Sequence, residues 1–263
     1  MGAFRIFNLV FLLICMPLVG CGVTDIDKDD EYAKMSKADI LLRAKMAMNA
    51  QHYQEATKDL DAIEAHYPFS EDAKKAKLLS LYTSLKAGQY AIAETEAQYF
   101  IEMNPNHPKV DYAYFIKGLS AYYQSIGRLV RYLPINRDAT DQNSNRRAFF
   151  AFSELVKKYP KSKYANNAYK RMVYLKNTLA KYELNTAIYY AKRSAWVAVI
   201  NRANNIVENF DDTEHVKEAL YLLSIAYNKL KMYQQSQDAI KILEHNHPGS
   251  IAKLKEIEYI KNT

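Results

Sequence analysis

The chain has 263 residues, 36 Lys and Arg against 29 Asp and Glu, a net charge of +7, and 49% hydrophobic residues. That is long enough for one large domain or two small ones, with ample Ala, Leu, Tyr and Ile for a core. Seven glycines and seven prolines are too few for the many tight turns of a sandwich or barrel, which leaves an all-α chain.

The first element is a leader. Arg5 supplies a positive start, Ile6 to Val19 is almost unbrokenly apolar, and Gly20 precedes Cys21. The run is shorter than the ~20 residues that span a bilayer as a helix and has the proportions of a secretory signal. An ordinary cleavage site needs no cysteine after the small residue. Leu18-Val19-Gly20-Cys21 resembles a bacterial lipobox, in which the signal is removed and the cysteine acylated. Residues 1–20 are thus read as signal, and the mature chain as starting at a lipidated Cys21. Cys15 leaves with the signal, so the exported part has no disulfide and holds together by packing alone. In that compartment a modest basic excess points to acidic headgroups or an acidic protein face, not to nucleic acid.

Residues 21–35 read as lipidated N-terminus and flexible tether, polar and without apolar periodicity. Asp25-x-Asp27-x-Asp29 opens like a calcium loop, but Asp30 and Ser36 stand where an EF-hand needs Gly and Glu.

From Ser36 the chain repeats. An aromatic, a small residue three later and a proline fifteen later recur as Tyr53/Ala56/Pro68 and Tyr90/Ala93/Pro105, displaced by 37. Trp196/Val199 with Asp211 in the proline slot, and Tyr233/Ser236/Pro248, repeat that displacement; a fifth copy uses Asn145, Ala148 and Pro160. Such a period marks a solenoid. The unit resembles the tetratricopeptide (TPR) helix–turn–helix, whose small positions let two helices approach, here Ala44 on the first helix and Ala56 on the second. The predicted fold is an all-α, right-handed superhelical solenoid of five TPR repeats over 36–263. Its N-terminal repeats cover 36–160, with an insertion at about 125–145, and its C-terminal repeats 161–263. The insertion carries Arg128, Arg131, Arg137, Arg146 and Arg147 along with Leu129, Val130, Leu133 and Ile135. The long interval from Pro160 to Asp211 leaves room for an additional helix turn or a lengthened helix pair over 164–192.

His66, His107 and His247 fall at or just past the ends of second helices, where a cation favours the helix dipole; that use outweighs metal binding, even for His245-x-His247. No His-Glu-x-x-His, Gly-x-Ser-x-Gly or phosphate-cradling glycine loop is present. Asp59 and Asp61 read as an exposed helix face. No catalytic residue, metal or cofactor is predicted, and binding is the default for a stack with a concave groove. Groove candidates are Tyr67 and Phe69, which bracket a helix-ending proline, then Tyr82, Tyr112, Tyr114 and Phe115. Tyr112, Phe115, Leu119 and Tyr122 also form an i, i+3 stripe that reads as core.

His66-Tyr67-Pro68-Phe69, Asn104-Pro105-Asn106-His107-Pro108, Asp111-Tyr112 to Gly118-Leu119, Tyr159 to Tyr164, Leu179 to Glu183, Tyr189-Tyr190 and Ala195 to Val199 with Asn201-Arg202 together resemble the BamD family (also called YfiO or ComL). These are TPR lipoproteins of the outer-membrane β-barrel assembly machinery. The resemblance covers essentially the whole mature chain, with Arg137 and Asp141 in the insertion. Ser70 and Ser194 stand where the family usually has glycine, which would be costly wherever the backbone needs positive φ.

The resemblance implies a non-catalytic protein lipid-anchored on the periplasmic face of the outer membrane; Gly22 after Cys21 lacks the aspartate of inner-membrane retention. It implies docking of the C-terminal repeats on the last POTRA domain of a BamA-like barrel subunit, with accessory lipoproteins such as BamC alongside. The N-terminal repeats would receive unfolded outer-membrane proteins. Carried over, Asn201 and Arg202 belong to the docking surface with Trp196 packed beneath, and Tyr67 and Phe69 to the substrate-peptide site. A second reading is a TPR lipoprotein scaffold for cell-wall or DNA-uptake functions.

Mass spectrometry of the mature protein is expected to show residues 1–20 lost and a lipid mass on Cys21. An unmodified cysteine in a soluble periplasmic pool would reject the anchor.

Overall fold

The computed structural model describes residues 30–68, 70–126 and 142–255. The signal, Cys21, Phe69 and the 127–141 interval lie outside the described residues. Eleven helices and no strand occur among the described residues. They are α1 (Lys37–Asn49), α2 (Tyr53–His66), α3 (Glu71–Lys86), α4 (Tyr90–Met103), α5 (Val110–Ile126), α6 (Gln142–Lys158), α7 (Ala165–Ala191), α8 (Trp196–Asn209), α9 (Val216–Lys229), α10 (Tyr233–Asn246) and α11 (Ser250–Lys255). Successive pairs make five A/B repeats, from α1/α2 to α9/α10, each helix packing mainly on its neighbours in sequence. This is the predicted TPR-like solenoid.

The pairs close because the small positions are buried. Ala44, Ala56, Ala93, Ala148 and Val199 are fully buried and Ser236 nearly so. In four repeats the A helix ends in the same way. The residue two before helix B has positive φ: Gln51 (62°), Gly88 (75°), Ser194 (57°) and Lys231 (61°). Around each, two amides reach back to satisfy carbonyls of the last turn, as His52 N to Ala47 O at 2.8 Å and Gln51 N to Met48 O at 3.1 Å. This is the Schellman arrangement, which leaves the next residue free to start an antiparallel helix.

The turn between repeats is also periodic. Ser70, Ser162 and Thr213 follow the proline or Asp211 by two. Ser70 Oγ accepts from Ala73 N at 3.0 Å and Ser162 Oγ from Tyr164 N at 3.1 Å, each at a helix start, whereas the Thr213 hydroxyl donates back to Phe210 O at 2.7 Å, at the end of α8. His107 occupies this slot in the second turn, its Nδ1 accepting from Lys109 N at 3.1 Å. It therefore caps the next helix and does not serve the previous helix dipole. His66 ends α2 as expected and pairs with Asp30 at 2.9 Å. Ser70 has φ −85°, so the family's glycine is not needed there, whereas Ser194 does carry the left-handed cost.

Four sequence expectations change. Residues 30–35 pack on the first repeat instead of forming tether: Tyr32 is buried and its hydroxyl donates to Asp59 at 2.9 Å. Asp59 is itself buried, held also by Arg43 at 2.6 Å, so its helix face is covered. Ser125 and Asn145 lie inside helices, which narrows the insertion to 127–141, and α6 begins three residues before Asn145. The long interval is one continuous 27-residue helix, α7. Its first half, with Ala168 and Leu175, joins the core of the second and third repeats; its second half, Leu179 to Ala191, joins that of the fourth and fifth. Phe149 packs against both clusters.

An L-residue pays roughly 1 kcal/mol or more in the left-handed region, part of which glycine returns through unfolded-chain entropy. Ser194→Gly is expected to raise stability by about 0.5–1 kcal/mol, and Gly88→Ala to lower it by a similar amount, in urea unfolding followed by circular dichroism.

Candidate functional site: an aromatic groove and an arginine-clasped glutamate

The A helices line a groove. Met48 of α1, Lys75, Leu78, Leu79 and Tyr82 of α3, and Asp111 and Tyr112 of α5, with His107 to Lys109, Lys163 and Tyr164, enclose about 900 Å³. A second cavity of about 370 Å³ shares Tyr82 and Tyr112 and extends along Leu85, Tyr90, Phe115, Leu119 and Tyr123. The walls are rigid because the rings support each other: Tyr164 stacks on Phe115 at 4.9 Å and lies 5.5 Å from Tyr112. Such contacts add roughly 0.5–1.5 kcal/mol beyond burial. Burial pushes the Tyr112 phenol well above its ordinary value, so the wall stays neutral.

Charge gathers at one end. Lys75, Lys109 and Lys163 border the larger cavity; the Lys163 ammonium lies 5.1 Å over the Tyr164 ring. Asp111 is the one carboxylate in the lining, and it is committed: it accepts from Tyr112 N at 2.8 Å and from the Ser162 hydroxyl at 2.6 Å. Burial holds the His107 imidazole below its ordinary value, so the positive charge here belongs to the lysines.

The predicted aromatics divide. Tyr82, Tyr112 and Phe115 line the groove. Tyr112, Phe115 and Tyr122, read as core, are half-buried, and of that stripe only Leu119 is buried. Tyr114 is buried elsewhere, accepting from Lys158 Nζ at 2.9 Å. Tyr67 is at the surface and lines neither cavity; its hydroxyl donates to Met35 O at 3.4 Å. Phe69 lies outside the described residues. Tyr164 was not foreseen: it stands directly before α7, two residues after Ser162, which holds the repeat position of Ser70.

A second constellation lies between the B helices. Glu183 of α7 is 1% exposed, and its two oxygens accept from Arg146 of α6 and Arg202 of α8, each at 2.9 Å. Two partners, one per oxygen, offset the cost of burying that charge. Arg202 was expected on the docking surface. Its side chain is 41% exposed, but its guanidinium is engaged with a buried carboxylate. Asn201 beside it is exposed. Trp196 opens α8, half-buried against the C-terminal core, with the Lys229 ammonium 5.5 Å over its ring. Among the described residues no three His, Cys, Asp or Glu side chains gather to hold a metal ion, and no helix is long and apolar enough to cross a membrane.

Comparison with known proteins gives this architecture a family. The YfiO family model, described as outer membrane lipoprotein, matches residues 33–242. The chain belongs to the YfiO (BamD) family. It is 33% identical over 226 residues to the outer membrane protein assembly factor BamD of Neisseria meningitidis serogroup A, covering 86% of this chain and 85% of the relative. It is 29% identical over 252 residues to BamD of Haemophilus influenzae, covering 96% and 95%. For BamD of Vibrio cholerae the identity is 28% over 235 residues, covering 89% and 96%. The family match starts at residue 33, beside the buried Tyr32.

Breaking a buried ion pair leaves an uncompensated charge and typically costs about 3–5 kcal/mol. Arg202→Glu adds a second carboxylate against Glu183, and a loss of that order is expected in thermal or urea unfolding. Arg202→Lys keeps a cation there and is expected to lose less than half as much.

Proposed function

We propose that this protein is a non-catalytic, lipid-anchored assembly factor of the outer membrane, exposed to the periplasm. Family membership together with an open, aromatic-walled groove supports this reading. Extended segments of unfolded outer-membrane proteins enter the A-helix groove, where Tyr82, Tyr112 and Tyr164 take up apolar and aromatic side chains. Tyr67 and Phe69 belong to the approach to it. A BamA-like barrel subunit, through its last POTRA domain, docks on the α8 face around Asn201, Arg202 and Trp196, and accessory lipoproteins such as BamC bind alongside. Arginine suits such a face, since one guanidinium offers five donors and Glu183 engages only part of Arg202. A separate groove and docking face suit a scaffold that holds a polypeptide while bound to a folding subunit.

The docking test has to spare Glu183. Asn201→Trp adds bulk at an exposed position, and surface changes of this kind usually move stability by no more than about 0.5 kcal/mol. It is expected to abolish co-purification of the barrel subunit with a tagged chain while the unfolding midpoint stays put. Wild-type recovery of the partner would move docking off this face. A cell-wall partner recovered in its place would favour the alternative scaffold reading.

A further inference from the structure

The B helices carry a surface that the groove does not use. α4 buries Ala93, Ala97, Phe100 and Ile101 as a repeat helix must, yet its outer side is not uniformly polar. Ile92, Tyr99 and Met103 fall at i, i+7 and i+11 on one stripe, and each is at least half exposed. A single exposed apolar side chain is ordinary, but three large ones along one helix stripe mark a contact surface. Beside them a cleft of about 530 Å³ opens between α4 and α6, with Tyr99, Gln98 and Glu102 on one bank and Arg147 on the other. Phe150, one turn beyond Arg147 on α6, is exposed too. This cleft and the groove share no lining residue.

Charge says what covers this face. In a chain of net charge +7, α4 holds Glu94, Glu96 and Glu102 and no Lys or Arg. Glu94 is engaged by Arg147 and Glu96 by Lys77. Lys117, the other cation of the cleft, pairs with Glu154 at 3.8 Å. Glu102 is exposed and meets the neutral Gln98 amide, and no cation pairs with it among the described residues. The cations of the cleft are thus committed, while one carboxylate beside the apolar stripe is not. We propose that the outer stripe of α4, with the adjoining cleft, docks a basic amphipathic helix of a partner protein. That helix lays its apolar side chains across Ile92, Tyr99 and Met103 and sets a lysine or arginine against Glu102. A helix satisfies its own backbone, so it suits a surface that offers no strand edge for pairing.

The test titrates the mature chain with two fluorescent synthetic helical peptides that share one leucine pattern and carry lysine or glutamate at the polar positions. The lysine peptide is expected to bind, and the glutamate peptide to bind about tenfold more weakly or worse. Ile92→Ser with Met103→Ser is expected to weaken the lysine peptide about tenfold. Both positions are exposed, so the unfolding midpoint stays close to wild type. Glu102→Gln is expected to weaken it about threefold and to flatten its salt dependence, whereas Glu244→Gln on α10 changes neither. The Tyr82→Ala, Tyr112→Ala variant of the groove is expected to bind it as wild type does. Equal loss from Glu102→Gln and Glu244→Gln, with none from the serine variant, would reduce the effect to general charge attraction and overturn the site. Loss in the tyrosine variant alone would move the peptide to the groove, and a lysine peptide that does not bind would overturn the proposal outright. A wild-type dimer in analytical ultracentrifugation that the serine variant dissolves would give the face to a second copy of this chain, which also overturns it.

Discussion

A single helix pair cannot bury both its faces, and every other feature of this protein follows from how the next repeat covers the one left open. Alanine at the crossings brings each pair together, but the layer between pairs is finished by the following A helix. The same rule explains why Tyr32 and Asp30, ahead of the first repeat, are drawn onto it: no helix precedes that pair among the described residues, and Tyr32 joins Ile40 and Ile63 in its core. At the other end Leu254 of the short α11 is buried against the last repeat's core, capping the stack as terminal repeats require.

Between B helices the covering A helix meets polar surface, and there the chain uses charge. Lys77 of α3 is clasped by Glu64 of α2 and Glu96 of α4. Gln124 of α5 lies with Glu94 of α4 and Arg147 of α6. Glu183 of α7 is clasped by Arg146 and Arg202. The architecture is the same each time, but the sign inverts between the first clamp and the last. The B-helix side is therefore acidic where α2 and α4 meet α3, and arginine-rich where α6 and α8 meet α7. Cores of stacked repeats are interchangeable in shape, and polar contacts of opposite sign distinguish one junction from another. The longest helix, α7, bears the most buried clamp and contributes buried residues to two core clusters, and its fixed charge meets both α6 and α8.

Periodicity carried most of this fold. Spacing located every helix B within three residues, the small positions, and the inter-repeat turns, because these depend on local backbone chemistry repeated five times. What escaped depends on contacts between distant positions. Glu183 and Arg202 are 19 residues apart and Arg146 is farther still, so each looks alone like solvated charge. Asp59 looks exposed until Tyr32 and Arg43 are placed over it. Tyr67 and Phe69 were attractive because they flank a proline, yet that turn points Tyr67 to Met35, whereas the groove wall is made where three A-helix starts converge. The lysines bordering the groove are indistinguishable in sequence from the other basic residues. The glycine substitutions show the same limit: Ser70 and Ser194 look equivalent, but only the latter needs the left-handed backbone.

The division of labour between helices gives the molecule two surfaces. Apart from Tyr90 of α4, the groove-lining side chains named above come from A helices and the turns that lead into them, while the Glu183 clamp presents its arginines from B helices. α7 touches both: Tyr164 and Lys163 at its start border the groove, and Glu183, five turns on, anchors the arginines. Arg202 is joined through the buried Glu183 salt bridge to the same helix that Tyr164 leads into. The aromatic wall and the clamp therefore share one helix, and the Glu183 contacts join α6 and α8 to it.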